Sequence, residues 1–341
     1  MKQKLIILSN EKFYLDKNNF YCDNICEKTL PDGLNESFFI EIIARSTKEK
    51  RSHELKSKNL KLFNSLISYL INVQKKINEK KNKFLVLSIS PYTFFATLLF
   101  IFSNQKPIIY LRSDGHQEYK SILGFYGPII FGIMFKIVSK IAFFISCRKY
   151  FLKDNKGSIV YPSEINKKWL TENNPSNLNN LKLLYVGRMK VEKGIFSLIK
   201  ILKKNEKKIQ TSLVGATKDF IKKNNQENLN ILEIENNENS LIKIYDDHSI
   251  FILPSFTEGH PMVLLEALAR LRPVVVFKDI EHVVGDKKGI FVAERNEKNF
   301  FEKINYIRNN YENIQREMKT NKLATKEVFL NDMKKLILQI N

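Results

Sequence analysis

The chain has 341 residues, with 56 Lys plus Arg against 36 Asp plus Glu and a formal net charge of +20. At 43% hydrophobic and 11% aromatic residues it is no disordered tail, and 12 Gly with nine Pro exclude a collagen-like or linker-dominated chain. Three cysteines, Cys22, Cys26 and Cys147, are too few for a disulfide scaffold and lack a second pair for a zinc site, which predicts reduced thiols in a cytoplasmic protein.

The basic excess is mostly Lys, with only ten Arg, and accompanies abundant Asn and Ile. A/T-rich codon usage produces that mixture without a ligand, and attraction to an anionic membrane surface produces it with one. Nucleic acid is not predicted as a partner. Aromatics such as Phe94-Phe95 and Phe143-Phe144 crowd apolar runs, as core residues do, and do not interleave with cations.

At roughly 100 to 200 residues per domain the length predicts two domains. The opening apolar run, Leu5 to Leu8, is shorter than the roughly 7 to 15 residues of a signal-peptide core. Strands are predicted at Lys4–Ser9 and Phe38–Ala44, and a helix over Leu60–Ile77. The uncharged stretch Phe84 to Gln105 is long enough to span a bilayer, but Ser88-Ile-Ser-Pro91 interrupts it. It reads as a strand, Phe84–Ile89, then a helix with Ser90 as N-cap and Pro91 at its first position. A strand follows at Pro107–Leu111. The run Tyr126 to Ser146 is apolar except for Lys136 and Lys140, one helical turn apart, and reads either as a helix lying in a membrane interface or as a buried helix with a charged edge.

After Ser158-Ile-Val-Tyr-Pro162 the chain turns polar, and Thr171 to Asn180 has linker composition. Strands and helices then resume: strand Leu181–Val186, helix Ile195–Lys203, strands Gln210–Val214 and Ile250–Leu253, helix Pro261–Arg270, and strands Pro273–Phe277 and Gly289–Val292. The expected class is α/β, with two Rossmann-like doubly wound domains facing an interdomain cleft. The predicted division is 1–165, a linker 166–180, 181–320, and a C-terminal helix 321–341 packing back on the first domain.

Two segments carry chemistry. In Tyr185-Val-Gly187-Arg188-Met-Lys-Val-Glu192-Lys193-Gly194 a strand ends in Gly, where backbone can approach a ligand, and two cations precede a helix. Arg188 offers a planar fork for phosphate oxygens and Lys193 a point charge. In Leu253-Pro254-Ser255-Phe-Thr-Glu258-Gly259-His260-Pro261-Met262-Val263-Leu-Leu-Glu266-Ala267, a helix N-terminus suits a phosphate, and the carboxylates beside it suit sugar hydroxyls.

Together these residues resemble the donor-binding domain of the retaining GT-B glycosyltransferases of family 4. The resemblance covers Val160 to Val292, carried by Gly187-Arg188, Glu192-Lys193-Gly194, Pro254-Ser255, Glu258-Gly259 and Glu266. It implies a GT-B fold, with an acceptor-binding domain at 1–165 and a nucleotide-sugar-binding domain at 181–320. Arg188 and Lys193 would neutralise a donor diphosphate in place of a metal, Glu258 would meet the transferred sugar and Glu266 the ribose. Gly187 and the backbone of Gly259, His260, Pro261, Met262 and Val263 would complete the donor site. His116 or Asp114 would line the reaction centre. The implied activity is metal-independent, retaining transfer from a nucleotide-diphosphate-sugar co-substrate, with no other cofactor. The acceptor would be a saccharide or lipid-linked saccharide of cell-surface polysaccharide or lipopolysaccharide synthesis, reached by peripheral association with an anionic membrane. The alternative is a noncatalytic scaffold or partner subunit. The chain departs from the family's pattern at Leu271-Arg272, at His260, and at Ser9-Asn10-Glu11, where relatives have a Gly-rich turn.

Overall fold

Strands apolar on both faces can be buried only inside a sheet covered on two sides. The computed structural model, which describes residues 2–79, 81–171, 178–203, 209–223, 228–235 and 237–340, contains two such sheets in two units. One unit comprises Met1–Pro162 and Lys326–Asn341, the other Ser163–Thr325. Among the described residues no helix is long and apolar enough to cross a membrane.

The first unit holds strands β1 (Gln3–Asp16), β2 (Asn19–Cys22), β3 (Phe38–Thr47), β4 (His53–Glu54), β5 (Leu60–Phe63), β6 (Lys83–Leu87), β7 (Ile108–Leu111), β8 (Phe143–Ser146) and β9 (Gly157–Ile159). A parallel sheet runs β5-β3-β1-β6-β7-β8-β9. β2 and β4 add antiparallel at the end of β1. Alternate side chains feed two cores. Ile6, Leu8, Phe84, Val86 and Ile109 enter one, and Leu5, Ile7, Leu85, Leu87 and Ile108 enter the other. The helix Lys326–Gln339 covers the second core with Phe329, Met333 and Ile337, spaced one turn apart.

Three expectations for this unit are corrected. β1 runs past Ser9 to Asp16 because a register shift between Leu8 and Lys12 lets it continue into a hairpin, whose turn residues Lys17 and Asn18 have φ of 44° and 72°. Leu60–Phe63 is a strand on β3, and the helix begins only after Ser65, whose side chain accepts from Ser68 N. Leu60-Lys-Leu62 satisfies a two-residue period as well as a helical one, and pairing decides. The run Tyr126 to Ser146 divides into a helix, Tyr126–Val138, and β8. That helix buries Phe131, Met134, Phe135 and Val138, and exposes Tyr126, Ile129, Ile130, Ile133 and Ile137. The helix Pro91–Leu98 starts with Ser90 at the cap and Pro91 first inside, and Thr93 Oγ1 accepts from Ser90 N at 2.9 Å.

The second unit holds β10 (Lys182–Val186), β11 (Gln210–Ala216), β12 (Leu229–Glu233), β13 (Ile250–Leu253), β14 (Val274–Phe277) and β15 (Ile290–Ala293). All pairings are parallel, in the order β12-β11-β10-β13-β14-β15. Counted from β10 this is the 3-2-1-4-5-6 order of a doubly wound sheet, which opens a crevice where its first and fourth strands end. The segment predicted as a linker enters this unit with a short helix, Lys167–Leu170, whose Trp169 is buried in the unit's core. Arg270, 1% exposed, fixes it: Nη1 donates to the carbonyls of Trp169 and Thr171 at 3.0 and 2.7 Å, while Nε and Nη2 grip Asp246 at 2.8 and 2.7 Å. Residues 172–177 of the predicted linker lie outside the described residues.

Candidate functional site

The crevice is built by the loops that leave β10 and β13. Beyond β10, Gly187 N donates to Val214 O at 2.9 Å. Gly215 on the neighbouring strand has φ +108°, and a Cβ there would lie 2.4 Å from Gly187 O, so the two strand ends meet backbone to backbone. Arg188 projects into solvent, with its carbonyl held by Tyr185 Oη at 2.8 Å. Val191–Lys193 forms one 3₁₀ turn and Gly194, with φ +66°, reverses the chain into the helix Ile195–Lys203. A Cβ on Gly194 would fall 1.8 Å from Pro254 O. That contact and the bond from Phe256 N to Glu192 O, 3.0 Å, dock the two loops on each other.

Beyond β13, Ser255 is buried and Glu258 turns back toward the first loop. Lys193 Nζ donates to Glu258 Oε1 at 2.7 Å, and Ser255 Oγ donates to the same oxygen at 2.6 Å. The ammonium is thus partly neutralised by the carboxylate, and Arg188 is the more open cation of the two. The helix Met262–Ala269 points its N-terminus at the crevice; Pro261 stands at the N-cap with ψ 113°, one residue before the first helical position predicted for it. Gly259, His260, Met262 and Val263 are each half-buried around that end, where helical N–H groups have no intrahelical partner.

Glu266 lies one turn further in and is buried. Tyr245 Oη donates to Oε2 at 2.8 Å and also approaches Val263 O at 3.3 Å. Burial pushes the Glu266 carboxyl up to about 7, the nearby Glu164 charge adds to the rise, and the Tyr245 hydrogen bond opposes both. A carboxylate kept out of water at this cost is poised to accept strong hydrogen bonds from a ligand.

Arg295, beyond β15, was missed by the sequence reading. Its guanidinium lies between the rings of Phe256 and Phe277, 4.0 and 4.4 Å from their centroids. Nη1 donates to Pro254 O at 2.8 Å and Nη2 to Ser255 O at 3.1 Å, while Asp279 Oδ2 accepts from Nη2 and Nε at 2.7 and 3.0 Å. It therefore pins the loop that carries Glu258. The signal available was a cation just past a strand end on the carboxyl side of a parallel sheet, hidden among 56 basic residues. His282 Nε2, 2.8 Å from Glu258 O, is a second such contact.

Asp114 and His116 lie in the other unit, just past the end of β7. Asp114 caps the helix Gly115–Leu123, with Oδ1 accepting from His116 N at 3.0 Å and Gln117 N at 3.3 Å, and Oδ2 from Tyr150 Oη at 2.8 Å. His116 rests edge-on against Phe131, and Nε2 lies 2.7 Å from Lys153 Nζ. Burial and then the Lys153 charge lower its pKa, so the ring is held neutral and accepts from the ammonium. These groups line a cavity of about 240 Å³ floored by Phe131 and Phe135. The predicted site residues thus form two clusters. Gly187, Arg188, Lys193, Glu258, Gly259, His260, Pro261, Met262, Val263 and Glu266 share one crevice, and Asp114 and His116 share the cavity. Among the described residues no three His, Cys, Asp or Glu side chains are grouped to hold a metal ion. The Asp279 carboxylate, in Asp279-Ile280-Glu281, is taken up by Arg295.

Residues 167–324 match the family model of the glycosyl transferases group 1. An uncharacterized glycosyltransferase of Haemophilus influenzae is 31% identical over 159 residues, and the match spans 43% of each chain, less than half the length of that relative. Among solved structures, HepE from Anabaena in complex with UDP superposes with a TM-score of 0.72 at 12% identity, over 98% of this chain and 100% of that one. WaaG, a glycosyltransferase involved in lipopolysaccharide biosynthesis, gives 0.66 at 13% identity, over 98% and 99%. The chain has the α/β fold of the GT-B glycosyltransferases, and across residues 167–324 it carries the pattern of the glycosyl transferases group 1.

Proposed function

We propose that the chain is a glycosyltransferase that moves a sugar from a nucleoside-diphosphate-sugar to a saccharide or lipid-linked saccharide acceptor. The observation that carries the reading is the convergence of Arg188, Lys193, the N-terminus of the helix Met262–Ala269, Glu258 and Glu266 on one switch-point crevice, within the segment that matches the glycosyl transferases group 1. Cations and free N–H groups suit the diphosphate, and the buried Glu266 suits a ribose diol. Glu258, prearranged by Lys193 and Ser255, keeps Oε2 for sugar hydroxyls.

The reaction is proposed to proceed with retention and without a metal or other cofactor. The bond from sugar C1 to the diphosphate oxygen breaks, the acceptor oxygen bonds to C1 on the same face, and the acceptor proton passes to the departing phosphate. Arg188 and Lys193 stabilise the charge that develops there. His116, held neutral, and Asp114, already fully engaged as a cap, are assigned to the reaction centre and to its support respectively. The UDP carried by HepE and the lipopolysaccharide role of WaaG favour a uridine donor and a cell-surface glycan acceptor, made by an enzyme working peripherally on an anionic membrane.

Thermal stabilisation by UDP, GDP, ADP and CMP in the presence of EDTA tests the donor site. A shift with one nucleoside diphosphate, lost in Glu266→Ala, is the expected result. No shift with any of them, in a folded protein, refutes the reading and favours a noncatalytic partner. Proton NMR of the product then reads the anomer, and an inverted one overturns the retaining assignment.

A further inference from the structure

Twelve of the 26 exposed large hydrophobic side chains among the described residues lie between Phe95 and Phe143. They centre on a helical hairpin, Gly115–Leu123 and Tyr126–Val138, whose helices pack on each other across a turn at Gly124. The turn has φ +62° and nothing within 4 Å of a Cβ, and it presents Phe125, 80% exposed, at the hairpin's tip. Along the second helix Tyr126, Ile129, Ile133 and Ile137 follow one another at three- and four-residue spacing. One stripe of this helix is core and the opposite stripe is equally apolar but uncovered. Such a stripe is larger than the scattered exposed apolar residues of an ordinary surface.

The charges around it select the occupant. Between Phe95 and Phe143 the exposed charged residues are Lys106, Lys120, Lys136 and Lys140 against Glu118 alone. A second copy would bring the same cations against these, in a chain already at +20, and like charges across an interface are repulsive. An anionic lipid surface attracts all four, accepts the apolar stripe below its headgroups, and lets the lysine stems extend to the phosphates.

We infer that this hairpin is a membrane-docking face, with Phe125, Tyr126, Ile129 and Ile133 inserted into an anionic lipid surface and Lys136 and Lys140 at headgroup level. The inference deepens the lipid-linked-acceptor reading above and rests on it for its purpose: docking by this unit brings the acceptor to a site built from neighbouring strand ends of the same sheet. The physical claim stands separately, because vesicle binding and nucleotide binding are different measurements.

The test is flotation of the full chain with vesicles of phosphatidylcholine alone or of equal parts phosphatidylcholine and phosphatidylglycerol, at low and high salt. Binding is expected to the anionic vesicles and to weaken with salt. Ile129→Asp with Ile133→Asp is expected to lower partitioning by about a hundredfold or more, and Lys136→Glu with Lys140→Glu by about tenfold. Phe125→Asp, at a tip that touches no core, is expected to lower it by about tenfold and guards against a folding defect. Each variant should keep the thermal shift given by the nucleoside diphosphate. Absence of binding to anionic vesicles at low salt overturns the inference, as does undiminished binding by the aspartate variants. A dimer in sedimentation that Ile133→Asp dissociates, without lipid binding by the parent, also overturns it in favour of a second copy. Lipid binding without any nucleotide shift would instead fail the donor reading and leave the docking face standing.

Discussion

Glu266→Gln separates a ligand-binding carboxylate from a structural one. The Glu266 carboxyl is raised from 4.5 to about 7, first by burial, so the folded chain binds its proton more tightly than the unfolded chain does. The sign follows: the stabilisation due to this group is fully present below about pH 4.5 and is lost as pH rises through about 7. Ionised Glu266 then costs about 3 kcal/mol at pH 8, since each tenfold difference in proton affinity between the folded and unfolded chain is worth about 1.4 kcal/mol. Glutamine removes that cost and still accepts from Tyr245 Oη, while its unsatisfied amide gives back about 1 to 2 kcal/mol. The net expectation is a variant more stable than the parent by about 1 to 2 kcal/mol at pH 8, or roughly 3 to 8 °C in the melting of its unit, with the advantage gone at pH 5. Nucleotide affinity should move the other way, falling about 10- to 100-fold because a charge-assisted pair of hydrogen bonds is lost. Urea denaturation at pH 5 and 8, with calorimetric titration of UDP, reads both. A variant that is no more stable than the parent at pH 8 relative to pH 5 would refute the account of a carboxylate held in water-poor surroundings for a ligand.

Arg188→Ala should lower kcat/KM about 100-fold with no change in melting temperature, since the side chain is exposed; full activity would remove Arg188 from the phosphate site. Arg295→Lys keeps a charge for Asp279 but loses the planar stack on Phe256 and Phe277, and is expected to cost about 1 to 2 kcal/mol and to lower kcat more than it raises KM. Unchanged steady-state kinetics would show that the Pro254–Glu258 loop needs no such pin. Gly194→Ala places a methyl 1.8 Å from Pro254 O at φ +66° and should cost about 2 kcal/mol or more while abolishing nucleotide binding; a folded, binding variant would refute the tight docking of the two loops. In wild type, UDP affinity should fall as pH drops below about 7, when Glu266 takes up its proton, and a flat profile from pH 5 to 8 would exclude it from the nucleotide contact.

The crevice was legible because its chemistry is local: Gly187-Arg188 and Glu258 to Glu266 are short runs whose spacing survives without knowledge of tertiary contacts. The central strands were legible because burial on two faces leaves continuous apolar runs, as in Val274–Phe277. What escaped depends on pairing or on distant partners. Leu60–Phe63 is decided by its ladder with β3, and the β1–β2 hairpin by left-handed turn residues that are not glycine. Phe143–Ser146 looks like helix because the preceding apolar residues are helical, and only its ladders with β7 and β9 make it a strand. Arg295 is separated by about forty residues from the loop it holds, and no spacing rule connects them. Likewise the pairing of Lys193 with Glu258 spans 65 residues, and it alters the electrostatics assumed for either residue alone.

The helix Lys326–Gln339 places Phe329, Met333 and Ile337 in a core otherwise made by the first 162 residues. During synthesis the sheet of the first unit therefore emerges early, with the helix Ile25–Leu34 covering part of its second core through Leu30 and Leu34, and the rest of that core waits for the helix Lys326–Gln339. The second unit, continuous from Ser163 to Thr325, has all its strands available before then. Vectorial synthesis thus favours completion of the unit Ser163–Thr325 first, with the unit split around it closing later. A stop codon before Lys326 would leave the second unit attached to a sheet whose second core lacks Phe329, Met333 and Ile337.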